Sequence, residues 1–113
     1  MTEENSLKIV VEVLKDQKNI PIGDLMLSYE NDTIVVTGWT KCFYLETVTK
    51  ENALHDISLT KEYFTALLRK SSELSDFVKG KKVEYSLAFD YGKGGIGICD
   101  EIDGEIKWLH KIT

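Results

Sequence analysis

The sequence predicts an α+β fold: a mainly antiparallel sheet of about six or seven strands packed by one principal helix, in the order β-β-β-β-α-β-β-β. Three observations carry this. Apolar residues alternate with polar ones in short segments through the first third of the chain. They recur at helical spacing from Phe64 to Val78. Alternation then returns from Val83 onward, punctuated by glycine-rich turns. A chain of 113 residues has room for one core, so residues 1–113 are read as a single domain.

The elements follow in order. Leu7, Ile9, Val11 and Val13 share one parity, with Lys8 and Glu12 on the other, which predicts a half-buried strand. The polar run K-D-Q-K-N ends it, and Pro21 suits the start of a second strand at a sheet edge, continuing through Leu25, Leu27 and Tyr29. E-N-D at residues 30–32 makes a tight turn. T-I-V-V-T-G-W is a β-branched third strand, and C-F-Y-L is expected to continue as a fourth after a bend near Gly38.

Residues 47–58 read as a loop with a single helical turn around Ala53, Leu54 and Ile57. Thr60 is the expected N-cap of a helix over residues 60–79, with Glu62 at its positive end and Gly80 as its stop. The pair Ser71–Ser72 interrupts the stripe of Phe64, Leu67, Leu68, Leu74, Phe77 and Val78 and marks a kink. K-V-E-Y-S-L-A-F-D-Y alternates cleanly, with Val83, Tyr85, Leu87, Phe89 and Tyr91 on one face and Glu84, Ser86, Ala88 and Asp90 on the other. A final hairpin over residues 95–112 closes the chain. A three-residue loop would put Ile96, Ile98, Ile102, Ile106, Trp108 and Ile112 on one face, with Glu101 opposite Lys107, so that register is preferred to a two-residue Asp103–Gly104 loop. Gly97 inside this strand signals a bulge or a close approach by another element.

Gly92, Gly94 and Gly97 have the spacing of a phosphate-cradling loop, G-x-G-x-x-G. That chemistry needs a helix N-terminus after the glycines, whereas I-G-I-C-D-E-I reads as a strand. No G-K-[ST], H-R-D or D-F-G element accompanies the glycines. The segment is therefore read as a turn, and a ligand-binding or enzymatic use of Gly92–Gly97, with Asp90, Tyr91 and His110 nearby, is the alternative.

Charge narrows the partners. Fourteen Lys and Arg face nineteen Asp and Glu, a formal net charge of −5. Phosphate backbones attract positive fields, so nucleic acid is not an expected ligand, and a basic protein is. Apolar runs fall far short of the roughly 20 residues that span a bilayer, and M-T-E-E-N-S lacks the basic and apolar regions of a signal peptide. No membrane association and a cytoplasmic location are expected. Cys42 and Cys99 match no C-x-x-C pattern and are read as reduced, buried residues. A dyad of either cysteine with His55 or His110 is geometrically open but has no local signature. The spacing fits no zinc site, and D-E-I-D-G-E places Ile102 where a calcium loop needs a ligand. No metal, cofactor or catalytic residue is expected.

Asp100, Glu101, Asp103 and Glu105 fall within six residues that hold no cation. Such a cluster either solvates a turn or docks a basic partner, with Tyr91, Trp39, Phe43 and Tyr44 as candidate aromatic anchors. Gly38–Trp39, the Y-G-K-G-G-I-G-I segment and the closing D-G-E-I-K-W together resemble small bacterial immunity proteins, the cognate inhibitors of toxins. The resemblance implies an acidic, non-enzymatic α+β protein that neutralises a basic toxin by binding it. The expected function is accordingly a protein-binding module with Asp100, Glu101, Asp103, Glu105 and Tyr91 at its contact surface. A structural homo-oligomer that pairs an exposed strand edge is a further alternative.

Overall fold

The computed structural model describes residues 3–16, 19–90 and 95–112. Its elements are α1 (Glu3–Leu14), β1 (Ile20–Ile22), β2 (Leu25–Glu30), β3 (Thr33–Trp39), a 3-10 turn (Leu45–Thr47), α2 (Lys50–Lys70), α3 (Ser72–Val78), β4 (Lys82–Asp90), β5 (Gly95–Ile102) and β6 (Glu105–Trp108). The six strands form one sheet in the order of the chain. All neighbours are antiparallel except β3 and β4, which run parallel across the α2–α3 crossover. The α+β class and mainly antiparallel sheet agree with the sequence; the element order does not.

The first element is a helix rather than a strand. Leu7, Val11 and Leu14 are buried, with Val10 packed beside them, a spacing of i, i+3, i+4 and i+7. Ile9, which the alternating reading would bury, is 50% exposed. Two periodicities coexisted in this segment, and the one that Leu14 completes is the one that packs.

The second expected strand is a hairpin of two. β1 and β2 turn at Gly23, whose φ of 56° suits glycine, and Pro21 lies in the edge strand as expected. β2 and β3 turn through Asn31 and Asp32, both with positive φ, where the E-N-D turn was expected.

C-F-Y-L forms no strand. Thr40 still donates to the Ala88 carbonyl (2.9 Å), after which the chain leaves the sheet and closes the 3-10 turn. Gly38 does not bend β3; it admits α2, since a Cβ there would meet Thr60 Oγ1 at 1.8 Å. Thr60 is thus buried mid-helix, its hydroxyl donating to the Asp56 carbonyl (3.0 Å), and Thr49 is the N-cap, accepting from the Asn52 N–H (3.0 Å). Ala53, Ile57, Thr60 and Phe64 make the buried stripe, so the helix begins ten residues before its predicted start. The break at Ser71 is as expected: its side chain accepts from Leu74 N–H (3.1 Å) and caps α3.

All three helices lie on one side of the sheet. There, α1, α3 and the second half of α2 cover Leu25, Leu27, Ile34 and Val36, while the start of α2 and the β3–α2 connector cover Leu87, Phe89, Ile98 and Cys99.

The last hairpin corrects the preferred register. Ile102 pairs with Glu105, Glu101 with Ile106, and Asp100 with Lys107, across a two-residue loop in which Asp103 and Gly104 both have positive φ. These are the conformations of the hairpin turn that Asp-Gly favours. The parity argument failed because β5 contains a bulge: Leu87 pairs with Cys99 but Ala88 with Gly97, leaving Ile98 as the extra residue. One added residue turns every later side chain to the other face. The bulge and a close approach are both present at Gly97, where a Cβ would lie 2.9 Å from Leu109 Cδ1.

Candidate functional site

The opposite side of the sheet carries no described helix, and its side chains follow from the ladder. One row reads Met26, Thr37, Ser86, Asp100 and Lys107; the next holds Ser28, Val35, Glu84, Ile102 and Glu105; a third holds Trp39, Ala88 and Gly97. Short side chains make a flat floor at its centre. Trp39 lies over the glycines at one end, since a Cβ on Gly95 would sit 3.1 Å from its Cζ3, and Leu109 lies over Gly97. The face runs from aromatic and aliphatic at that end to acidic toward the hairpin tip.

The four carboxylates expected to act together are divided. Asp100 and Glu105 project from the open face, and Asp100 is partly buried there with no hydrogen bond or ion pair among the described residues. Glu101 points to the helix side, where it binds Lys61 Nζ at 2.7 Å and its side chain is 16% exposed. The same Lys61 lies over the Tyr85 ring. Burial raises the Tyr85 phenol above its ordinary value, the Lys61 ammonium opposes the rise, and Glu101 adds to it. Asp103 sits at the exposed tip and shares Lys82 with Glu84, at 3.5 and 3.6 Å. Tyr91, Gly92 and Gly94 lie outside the described residues, whereas Gly97 is within β5, in line with the extended reading of the segment after the glycines.

Sequence reasoning missed Glu84 as a partner of this patch. Its place opposite Val83 and Tyr85 in the β4 alternation was the available signal.

Phe43 and Tyr44 are 92% and 69% exposed on the β3–α2 connector. The connector leaves the sheet beside Ala88, and the hairpin tip meets Lys82, six residues back along β4. At about 3.3 Å per residue the aromatic pair and the tip are therefore roughly 20 Å apart. They are at opposite ends of the molecule's long strand, and a ring of carboxylates around these aromatics does not form.

Cys99 is fully buried, its thiol pushed up to about 11 by burial first and by Asp100 and Glu101 after it. Among the described residues no group of three or more His, Cys, Asp or Glu is arranged to hold a metal ion, and no helix is long and apolar enough to cross a membrane. Comparison with models of protein families, with curated proteins and with solved structures returns no match.

Proposed function

We propose that this chain is a non-enzymatic protein-binding module whose open sheet face receives a basic partner, in the manner of an immunity protein covering the cationic substrate site of a toxin. The observation that carries the reading is Asp100: a partly buried carboxylate on a helix-free face that forms no ion pair among the described residues, although Lys107 stands opposite it in the ladder, with Glu84 and Glu105 in the next row. A partner's Lys or Arg would complete a charge-assisted hydrogen bond there, shielded by the floor around it. Trp39 supplies the aromatic contact at the far end of the same face, and the net charge of −5 accelerates encounter with a cationic surface.

Glu101 is excluded from the contact set, because its carboxylate is committed to Lys61 inside the fold. The test therefore reverses Asp100 and Glu105 to lysine and leaves Glu101 in place. Affinity capture, beginning with the product of the neighbouring gene, supplies the partner, and calorimetry compares the variants. The double reversal and Trp39→Ala should each weaken binding at least about tenfold while the circular dichroism stays native. Wild-type affinity in the folded double variant would refute the assignment.

A further inference from the structure

The two outer strands of the sheet present different edges. In β1, Ile22 and Leu25 flank the two-residue Gly23–Asp24 turn as its hydrogen-bonded pair, so residue 21 turns its backbone nitrogen away from β2. That residue is Pro21, which has no N–H, and this edge lacks its central donor. The edge at β6 keeps its donors. Ile102 and Glu105 flank the Asp103–Gly104 turn in the same way, and Leu109 N–H donates to the Ile98 carbonyl (3.0 Å). By alternation Glu105, Lys107 and Leu109 turn their backbone groups toward β5, and Ile106 and Trp108 direct theirs outward. No described residue bonds that outer side, and an open depression lined by Ile102, Asp103, Glu105, Ile106 and Lys107 borders it. Glu105 and Lys107 are both exposed and form no ion pair among the described residues.

We propose that β6 pairs antiparallel with β6 of a second copy of this chain, Ile106 opposite Ile106, and joins the two sheets into one. Charge selects this register. Across the edge only residues whose backbones both face outward can exchange hydrogen bonds, which leaves Ile106 opposite Ile106, Ile106 opposite Trp108, or Trp108 opposite Trp108. The first sets Glu105 of each copy directly opposite Lys107 of the other, twice about the two-fold axis, on the open face. The second sets Lys107 against Lys107 on the axis. The third needs His110 as a strand residue, although its N–H is already given to the Ile98 carbonyl (3.2 Å). In the first register the two Ile106 side chains also meet on the helix side, where each is only partly buried by its own chain. The axis stands perpendicular to the sheet, so both open faces lie on one side of the dimer and the helices of both copies on the other. The dimer does not rest on the docking reading: Glu105 is common to the two, whereas Asp100 lies one strand in from the edge.

Sedimentation velocity of the full chain over a dilution series, with no other protein present, reads the association. The wild type should pass from monomer to dimer below about 1 mM chain. Glu105→Lys and Lys107→Glu each turn both cross-edge pairs into like charges, and each should weaken self-association at least about tenfold while the circular dichroism stays native. An equimolar mixture of these two variants sets Lys opposite Glu in both pairs again and should recover the dimer as a mixed species. Asp100→Lys should leave the dimer unchanged, which separates this edge from the docking surface. A chain still monomeric at about 1 mM, which would leave the edge to a strand of another protein, would overturn the proposal. So would a dimer indifferent to either reversal, or a mixture no more associated than its components.

Discussion

Replacing Gly38 by alanine tests how α2 is seated on the sheet. The added Cβ would lie 1.8 Å from Thr60 Oγ1, 3.0 Å from its Cγ2 and 2.9 Å from its Cβ. Rotating Thr60 about χ1 relieves the first two contacts but leaves the third, because Cβ does not move with that rotation. The helix backbone itself must retreat, and overpacking of this kind costs about 1–3 kcal/mol. Alanine recovers about 0.5–1 kcal/mol through the lower chain entropy of its unfolded state. The net expectation is a loss of about 1–2 kcal/mol, or a fall in Tm of about 4–8 °C. Thr60→Ala on its own should be close to neutral, since it gives up a hydroxyl that bonds within its own helix and gains helix propensity. Combined with Gly38→Ala it should recover about 1 kcal/mol of the loss, as residues in contact do in a double-mutant cycle. Urea unfolding of the four proteins provides the measurement. If Gly38→Ala matches the wild type, or costs the same with and without Thr60→Ala, the close approach of α2 to β3 is not what fixes this glycine.

Three further outcomes follow from the same packing. Glu101→Lys should lower the urea midpoint by the equivalent of about 1–3 kcal/mol, because it sets two ammonium groups together on the helix side, whereas Asp100→Lys on the open face should change it little. Ser71→Ala should cost about 1 kcal/mol by stripping the cap from α3 at a buried position. The third concerns pH: an unfolded cysteine ionises near 9.0, while Cys99 in the fold holds its proton to about 11. Between those values the folded state binds a proton that the unfolded state has lost, so stability should fall as pH rises through that window, and Cys99→Ala should flatten the slope measured by urea midpoints.

What the sequence made legible was what local chemistry decides. The E-N-D turn, β3, β4, the break at Ser71 and the stop at Gly80 each rest on a residue whose conformational preference or alternation admits one reading. The failures occur where two local readings compete and a distant contact chooses. Leu7–Leu14 satisfied both strand and helix periods until the sheet received Leu7, Val11 and Leu14. Residues 50–60 looked too polar for the body of a helix because their buried stripe is built from Ala53, Asp56, Ile57 and Thr60, and two of these are polar groups bonded locally or to the connector. C-F-Y-L has strand propensity, but β3 already has β2 and β4 on its two sides, so the segment has no place in the sheet beside it.

The candidate surface shows the same division with a sharper consequence. That Asp100, Glu101, Asp103 and Glu105 form an acidic cluster is a property of composition, visible in the sequence. Which of them can meet a partner depends on the bulge at Ile98 and on the length of the Asp103–Gly104 turn, and both alter parity. The bulge moves Asp100 onto the open face and Glu101 onto the helix side. The two-residue turn then sets Glu105 beside Ile102 on Asp100's face. Had Ile98 instead paired with Leu87 and the ladder run on without a bulge, Glu101 would face outward and the shorter Asp100 would take its place opposite Tyr85 on the helix side. The bulge therefore divides one run of carboxylates into two uses, a fixed ion pair that holds α2 to β5 and an unpaired acid presented outward. Removing Ile98 takes out only the residue that has no partner on β4 and leaves Cys99, Asp100 and Glu101 opposite Leu87, Ser86 and Tyr85, so a chain shortened by that one residue should keep both the Lys61 ion pair and the outward Asp100, which the stability and binding measurements above read separately.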